Sequence, residues 1–382
     1  MPVTPPDDLS RAPAADEFEV SLFGPGVGES VVVHLGAGEW MVVDSCLDDE
    51  LKQPAALTYL ERLGVEVATA LKLIVVTHWH DDHLRGVASL FRAAKSASLC
   101  CSAAMRVEEL FGMLAVARNR SSIHDRSGID ELSELFRELK ARLPREAPRG
   151  GETPIWASAS KPLLERFGAG GSPRIRVEAL SPSDRALKLA QLHLADELPR
   201  FKEGLAGHRL PAPTCNESAV ALWLEMGEAK VLLGSDLEES ADPANGWRVI
   251  VAKPRPAGSR ASTLKVPHHG SRNADSPELW DKLLEPAPFA LVAPFRPRSL
   301  PKVQDLERIG RRTHRLYCTA DPKGRKPRRR SAATDRTMRE VASRREVLLG
   351  PSGLIRLRGS LMTGAVQSVE LHGGAYQVDG SP

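Results

Sequence analysis

The segment Thr77–His83, with the sequence THWHDDH, carries the side chains best suited to chemistry. His78, His80, Asp82 and His83 form the pattern H-x-H-x-D-H. Imidazole and carboxylate groups are the ligands that zinc, iron and manganese bind in proteins. The segment therefore predicts a metal site, and the alternative is a polar loop with incidental histidines.

These side chains need a rigid support, and the sequence predicts one on each side of them. Residues 73–76 form a short, continuously apolar run, which is typical of a strand buried on both faces. Residues 84–94 have the apolar spacing of a helix. In the loop between the two, the H-x-H half would point to one side, whereas the D-H half would turn toward a second position. One short loop could therefore serve two metal ions.

Further polar side chains that could belong to such a site lie elsewhere in the chain, each within three residues of the end of a predicted strand. They are Asp44, Asp236, His268 and His269. Lys265, Ser271 and Arg272 surround the histidine pair in sequence and could bind a phosphate through charge or hydrogen bonds. A turn or a solvated surface position is the simpler interpretation of each of these three residues.

The composition limits the classes of protein to consider. The chain has 382 residues, 42% of them hydrophobic and 26% charged, which excludes wholesale disorder, collagen and a coiled coil. Its net charge of +3 gives no global argument for a nucleic-acid partner. No apolar run is long enough to span a membrane. Five cysteines, two of them adjacent and none in a CxxC pair, favour a reducing cytoplasm over a disulfide framework.

The pattern of elements predicts a layered α/β domain, because hairpins open the chain and strands then alternate with helices. We expect a disordered tail at 1–16, one domain at 17–320 with a mostly helical insertion at about 102–170, and a basic loop with a C-terminal extension at 321–382. The predicted strands are 18–23, 30–35, 40–43, 73–76, 174–180, 218–224, 229–233, 264–266, 290–292 and 315–317. The predicted helices are 49–63, 84–94, 129–143, 276–284, 302–312 and 334–345.

The motifs at Asp44, Thr77–His83, Asp236 and the histidine pair, in this order, resemble the signature of the metallo-β-lactamase superfamily. The resemblance covers about residues 17–320. It implies a four-layer αββα sandwich with a one- or two-metal site along one edge. It also implies that Asp236 bridges two metal ions.

By this resemblance, His78, His80 and Asp236 would hold the first metal. Asp82, His83, Asp236 and one of the pair His268 and His269 would hold the second. We expect two divalent ions, zinc in the first instance, with manganese and iron as alternatives. Asp44 would orient a ligand rather than bind a metal.

A closer similarity is to one branch of the superfamily, the soluble domain of ComEC-type DNA-uptake proteins. It rests on Gly26–Ser30, Asn216–Ser218, Gly234–Asp236 and Pro267–Ser271. That branch is associated with nuclease activity, so the resemblance implies a nucleic acid or nucleotide as substrate.

The chain departs from the superfamily at one point. The histidine that commonly precedes the strand before the bridging aspartate is missing, and the region reads PTCNES. Cys215, Asn216 or a water molecule could take its place. His193 and His208 lie upstream and are weaker candidates.

The chemistry expected of this site is hydrolysis by a hydroxide shared between two metal ions. Metal binding lowers the pKa of water toward about 7. We expect Asp82, Asp236 and His269 to take part in catalysis. The histidine of the pair that does not bind metal would contact the scissile phosphate, protonate the leaving group, or only hydrogen-bond a ligand.

The leading hypothesis is a metal-dependent phosphodiesterase or nuclease. One alternative is a hydrolase of a carboxylic ester, thioester or lactone, and another is a metal-stabilised binding or regulatory module without turnover. Six basic residues within Lys323–Arg330 could contact a nucleic-acid backbone, although a solvated loop is the ordinary interpretation of such a run.

Overall fold

The computed structural model describes nine stretches of the chain. They are residues 9–24, 27–48, 51–118, 128–142, 154–168, 173–203, 216–255, 259–322 and 353–378. The basic run at 323–330 and the predicted helix at 334–345 lie outside these stretches, as do Cys215 and His208.

The first of two sheets has eight strands, in the spatial order β15-β14-β1-β2-β3-β4-β5-β6. The strands are β1 (Glu17–Gly24), β2 (Ser30–Gly36), β3 (Glu39–Val43), β4 (Leu71–Val76), β5 (Ser98–Ser102), β6 (Ile155–Ala157), β14 (Gly353–Ser360) and β15 (Val366–His372). β3, β4, β5 and β6 are parallel to one another, and the remaining neighbours are antiparallel.

The second sheet also has eight strands, in the spatial order β16-β13-β12-β11-β10-β9-β8-β7. The strands are β7 (Lys161–Arg166), β8 (Ile175–Ala179), β9 (Leu222–Met226), β10 (Ala229–Leu233), β11 (Ala261–Lys265), β12 (Leu284–Val292), β13 (Leu316–Cys318) and β16 (Tyr376–Gln377). Here β10, β11, β12 and β13 are parallel.

In the described stretches, ten α-helices accompany the sheets. They are α1 (Ala55–Arg62), α2 (Val67–Ala70), α3 (Asp81–Leu84), α4 (Val87–Ala93), α5 (Glu108–Arg118), α6 (Gly128–Arg142), α7 (Asp184–Lys202), α8 (Gly246–Val251), α9 (Pro277–Leu283) and α10 (Val303–Gly310). None of the helices in the described stretches is long and apolar enough to cross a membrane.

Three hydrophobic layers hold these elements together. Val75 and Leu222 belong to the layer between the two sheets. Ile74 and Phe91 belong to a layer between the first sheet and its helices. Trp247 belongs to the corresponding layer outside the second sheet. The arrangement helix, sheet, sheet, helix confirms the predicted αββα sandwich.

Strand β4 shows how the sequence specifies this position. Leu73 and Val75 face the second sheet, whereas Ile74 and Val76 face the helices. Alternate residues of a strand point to opposite faces. Because both faces of β4 are buried, the residues on each face are apolar, and the sequence of the strand is a continuous apolar run. The strand ends where Thr77 begins the polar loop.

The segment 102–170, which the sequence predicts as a mostly helical insertion, contains strands as well as helices among its described residues. Its first part contains α5 and α6, as expected, but β6 and β7 lie in its second part. β6 completes the edge of the first sheet, and β7 completes the edge of the second. Both are short edge strands with little apolar alternation, so the sequence pattern gave a weak signal. The helix predicted at 49–63 begins later, at Ala55.

The strand predicted at 218–224 is also displaced. It begins at Leu222, and a short 3₁₀ turn occupies Asn216–Ser218. The apolar run Ala219–Ala221 before the strand is fully buried, which is why it resembles part of the strand in sequence.

A C-terminal hairpin, β14 and β15, extends the first sheet beyond β1. β14 pairs with β1 over the whole length of both strands, from Glu17 opposite Ser360 to Gly24 opposite Gly353. Arg356 and Arg358 on β14 are each only 1% exposed. These two buried guanidinium groups require buried acceptors.

Glu19 on β1 is the centre of this buried polar network. Its carboxylate accepts hydrogen bonds from Arg358 Nε at 2.8 Å, from the Tyr59 hydroxyl at 2.6 Å and from the Ser21 hydroxyl at 2.8 Å. Arg356 forms an ion pair with Glu370 on β15. The hairpin is therefore attached by charge as well as by backbone pairing.

We expect Glu19→Ala to lower the free energy of unfolding by about 3–5 kcal/mol, because it leaves the Arg358 guanidinium buried without its anion. Glu165→Ala is the matched control. It removes a carboxylate that lies 3.5 Å from Arg176 at a partly exposed position, and should cost about 0–1 kcal/mol. Urea unfolding followed by circular dichroism measures both. Equal losses in the two variants would contradict the proposed role of Glu19.

Candidate metal centre

Four loops meet at one edge of the sandwich. They follow β3, β4, β10 and β11, and all four begin at the carboxyl ends of parallel strands. Side chains that are distant in sequence, from Asp44 to His269, therefore converge on one buried place.

The first group of candidate ligands comprises Asp82, His83, Asp236 and His269. His83 Nε2 lies 3.6 Å from Asp82 Oδ2 and 3.4 Å from Asp236 Oδ2. His269 Nε2 lies 3.3 Å and 3.5 Å from the same two oxygens. All four ligand atoms lie within 4.8 Å of one another, so one metal ion could be bound by all of them.

The second group comprises His78, His80 and Asp236, which also place their ligand atoms within 4.8 Å of one another. His78 Nε2 is 3.1 Å from His80 Nδ1 and 4.0 Å from Asp236 Oδ2. Asp236 belongs to both groups. The structure thus brings together the residues that the sequence assigned to two metal ions, although ligation itself stays a prediction.

Three of the histidines are oriented by a partner at Nδ1. His83 Nδ1 lies 2.8 Å from Asp44 Oδ2, His78 Nδ1 lies 2.9 Å from Thr77 Oγ1, and His269 Nδ1 lies 2.9 Å from the carbonyl oxygen of Ala293. When Nδ1 donates to such an acceptor, Nε2 is the ring nitrogen left with a free lone pair. Fixing the tautomer in this way is characteristic of histidines that bind metals.

Three of the ligand atoms have no hydrogen-bond partner among the described residues. They are His83 Nε2, His269 Nε2 and Asp236 Oδ1, and all three are buried. Buried polar atoms are rarely left in this state, and one explanation is an ion that binds them. These residues fit one or two divalent cations.

The electrostatics of the candidate ligands also favour a bound cation. Burial opposes the charge on His83, but Asp236, Asp82 and Asp44 outweigh it and raise the pKa of His83 well above its usual value. Burial likewise opposes the charge on His269, whose pKa the nearby carboxylates raise to about 10. The carboxylates therefore create a negative potential that favours a cation at this place, either a proton or a metal ion.

His78 behaves differently. Burial lowers its pKa well below the usual value, and the neighbouring imidazoles of His83 and His80 lower it further. Neutral imidazole is the form that binds a metal ion.

Asp44 supports the loop, and it also forms a third group with His78 and His83 whose ligand atoms lie within 4.8 Å of one another. Its Oδ1 accepts a hydrogen bond from the Thr77 backbone at 2.8 Å, and its Oδ2 accepts one from the Thr77 hydroxyl at 2.7 Å. Asp44 itself has a φ of 57°, a conformation that is uncommon outside glycine and that concentrates at functional sites. These contacts are those of an orienting residue, and the orienting role of Asp44 stays a prediction.

Lys265 does not face the cleft, contrary to a role in binding a phosphate of the substrate. It is 1% exposed, forms an ion pair with Glu29 and donates to the Ser235 carbonyl at 2.9 Å. Its Nζ also lies 3.8 Å from Asp236 Oδ1. Lys265 is the last residue of β11 and is buried between the sheets. A charged lysine is tolerated at this position because Glu29 pairs with it.

Glu29 is a member of the site to which the sequence assigned no role. It is 2% exposed, and its second oxygen lies 3.5 Å from His269 Nδ1. Its backbone N–H donates to the Asp82 carbonyl at 3.1 Å. Glu29 lies inside Gly26–Ser30, a motif that resembles the ComEC-type branch. This motif was the one feature of the sequence that could have indicated a role for Glu29 in the site.

The two adjacent histidines separate into different surroundings. His269 belongs to the first ligand group, whereas His268 turns to Glu238 and Asn216. His268 Nδ1 lies 3.2 Å from Glu238 Oε1, and its Nε2 lies 3.2 Å from Asn216 Nδ2. Both histidines have positive φ values, 44° and 53°, which is the strain that allows neighbours to point apart.

Asn216 is therefore close to the site but is hydrogen-bonded to Glu238 at 2.9 Å and to His268. Its Oδ1 is buried and has no hydrogen-bond partner in the part of the chain that the structure describes. Ser271 is half-buried and Arg272 is exposed, and neither lines the cleft. His193 lies on α7, away from the ligand groups.

A cleft of about 280 Å³ opens over the ligand groups. It is lined by Val27, Trp79, His80, Asp81, Asp82, Arg85, Asp236, His268, His269, Phe295, Pro297 and Arg298. The Phe295 ring stacks on His269 with a centroid distance of 5.2 Å. Phe295 and Arg298 belong to a loop after β12 that contains no recognisable motif, so the sequence did not indicate either residue.

Comparisons with known proteins agree with this geometry. A family model described as the metallo-beta-lactamase superfamily matches residues 23–279, more than half of the chain. No curated protein matches the sequence significantly.

Several solved structures are similar to the chain at low identity and low TM-score. The metallo-beta-lactamase fold protein YhfI from Bacillus subtilis is 14% identical over 65% of this chain and 70% of that chain, with a TM-score of 0.32. The Rm3 metallo-beta-lactamase is 16% identical over 62% and 66%, with a TM-score of 0.28. A metallo-beta-lactamase family protein from Thermus thermophilus is 18% identical over 57% and 56%, with a TM-score of 0.27. On the match of the family model, the chain belongs to the metallo-beta-lactamase superfamily.

Proposed function

We propose that this hydrolase acts on phosphodiester bonds, as a nuclease or phosphodiesterase of the ComEC-like branch. The observation that carries the proposal is the pair of arginines beside the ligand groups. Arg85 and Arg298 both line the cleft. Within the described stretches, neither guanidinium takes part in an ion pair. Two unpaired guanidinium groups next to a hydrolytic centre suit an anionic substrate.

The residues of the site have two roles, holding the metal ions and orienting the ligands. His78, His80 and Asp236 would hold one divalent ion, and Asp82, His83, Asp236 and His269 would hold the other, with zinc as the first choice. When bound, such ions activate water and stabilise the charge on the attacking and leaving oxygens. Asp44 and Thr77 keep the histidines in the tautomer that binds a metal ion.

The remaining wall of the cleft orients and encloses the substrate. Phe295 and Pro297 provide apolar surface, and Arg85 and Arg298 provide charge. The four cysteines of the described stretches are buried and form no disulfide within those stretches, which supports the proposal of a reducing cytoplasm.

A carboxylic ester, thioester or lactone is the second candidate substrate. The apolar part of the cleft, Val27, Phe295 and Pro297, favours it. An uncharged ester, however, leaves both arginines without a partner. The third hypothesis, a binding or regulatory module without turnover, is decided by the activity measurement below.

Asp236→Ala should remove most of the bound metal, because Asp236 lies in both ligand groups. His83→Ala should lower the metal content less, because it removes one imidazole from one group. Inductively coupled plasma emission of the purified proteins measures the metal-to-protein ratio.

Asp242→Ala and His193→Ala are the matched controls, since Asp242 is partly exposed and His193 lies on α7. Both should keep the metal content of the wild type. A normal ratio in Asp236→Ala would show that this carboxylate is not a shared ligand.

The metal-loaded protein should hydrolyse bis-p-nitrophenyl phosphate and a short oligonucleotide, with little activity on p-nitrophenyl acetate. A chelator should abolish the activity, and added zinc or manganese should restore it. Asp236→Ala, which should lose the metal, controls for a contaminating nuclease. Faster turnover of the ester than of both phosphodiesters would overturn the proposal in favour of the second candidate.

A further inference from the structure

A second cavity adjoins the cleft of the metal centre. Its volume is about 580 Å³, and its lining includes Lys52, Pro54, Arg85, Ser89 and Glu131. Arg85 also lines the cleft above the ligand groups. Arg85 therefore stands between the two cavities, two residues beyond His83.

The backbone around Arg85 is held in place. The Ser45 hydroxyl donates to the Arg85 carbonyl at 2.8 Å. Gly86 follows with a φ of 81°, and a Cβ at this position would lie only 2.8 Å from Leu47 Cδ2 and 3.0 Å from Pro54 Cγ. The chain can pass here only because residue 86 is glycine. The position of Arg85 is therefore specified by packing.

The charge of the second cavity is suited to an anion. Arg85 is half-buried and Lys52 is exposed, and both are cationic. Among the described residues, the lining contains one carboxylate, Glu131, which is only 6% exposed. A planar guanidinium can donate two parallel hydrogen bonds to a phosphate. A half-buried arginine therefore favours a phosphate group over a small anion such as chloride.

We infer that the substrate is a nucleic-acid strand that occupies both cavities. Its scissile phosphodiester lies in the cleft at the metal centre, where Arg298 is the arginine that serves it, and the chain continues past Arg85, which binds the next phosphate, into the second cavity. This inference rests on the proposed function and adds that Arg85 selects long substrates over small diesters. Arg85 here binds and positions the substrate and takes no part in bond breaking.

Steady-state kinetics on two substrates test the inference. We compare a single-stranded oligonucleotide with bis-p-nitrophenyl phosphate, which has no second phosphate. Arg85→Gln should raise KM for the oligonucleotide about tenfold, which corresponds to one lost charge-assisted contact. The effect on the small diester should be several-fold smaller. The log–log salt dependence of the oligonucleotide KM should become shallower by about one phosphate contact.

Ser89 provides a test that leaves the metal centre untouched, because it lines only the second cavity. Ser89→Glu should raise KM for the oligonucleotide and Ser89→Lys should lower it, with both unchanged on the small diester. Opposite shifts from two substitutions that both enlarge the side chain exclude a steric cause. Arg312→Gln, which removes a guanidinium bonded to Asp281 outside both cavities, is the control and should change neither KM.

The outcomes separate this inference from the function on which it rests. If the wild type cleaves both substrates but Arg85→Gln raises both KM values equally, or the Ser89 variants shift in the same direction, the extended path is overturned and the phosphodiesterase stands. If the metal-loaded wild type cleaves neither substrate, the proposed function fails and the inference fails with it.

Discussion

The carboxylate of Asp44 is the constraint on which the geometry of the site depends. It binds the backbone and the hydroxyl of Thr77 and also orients His83, so it joins the end of β3 to both halves of the His78–His83 loop. The Thr77 hydroxyl in turn accepts a hydrogen bond from Ser235 at 2.8 Å. Ser235 precedes Asp236 on the other sheet. One buried carboxylate thus links the ligands of the first sheet to the shared ligand of the second.

This arrangement explains how the candidate ligands are held in fixed positions although they lie on short loops. Each side chain stands within a few residues of a strand whose two faces are buried, and the sheets cannot slide without breaking the layer between them. The strain at His268 and His269 is offset by the same packing, since the 267–270 segment is buried throughout.

Much of this could be predicted from the sequence because it is encoded locally. The apolar run before Thr77 and the H-x-H-x-D-H spacing each occupy a few consecutive residues. The different surroundings of His268 and His269 could not be predicted, because they depend on two positive φ angles and on Glu238. Lys265 was misinterpreted for a related reason: a lysine next to a site is usually solvated, and only the partner Glu29, which is more than 200 residues away in sequence, makes its burial tolerable.

The pairing of β1 with β14 has a consequence for how the chain is made. During synthesis β1 emerges early, whereas its partner emerges more than 300 residues later. At about 5–20 residues per second, β1 waits roughly 15–70 s before the strand that covers its outer edge exists. For that time, an edge of the first sheet presents unpaired N–H and C=O groups to other nascent chains. The buried Glu19 and Ser21 on this strand, polar positions in an otherwise apolar sequence, are then exposed, and a charge on an open edge is a known protection against strand-to-strand aggregation. The same glutamate that holds the hairpin in the finished protein would thus keep the unfinished sheet soluble.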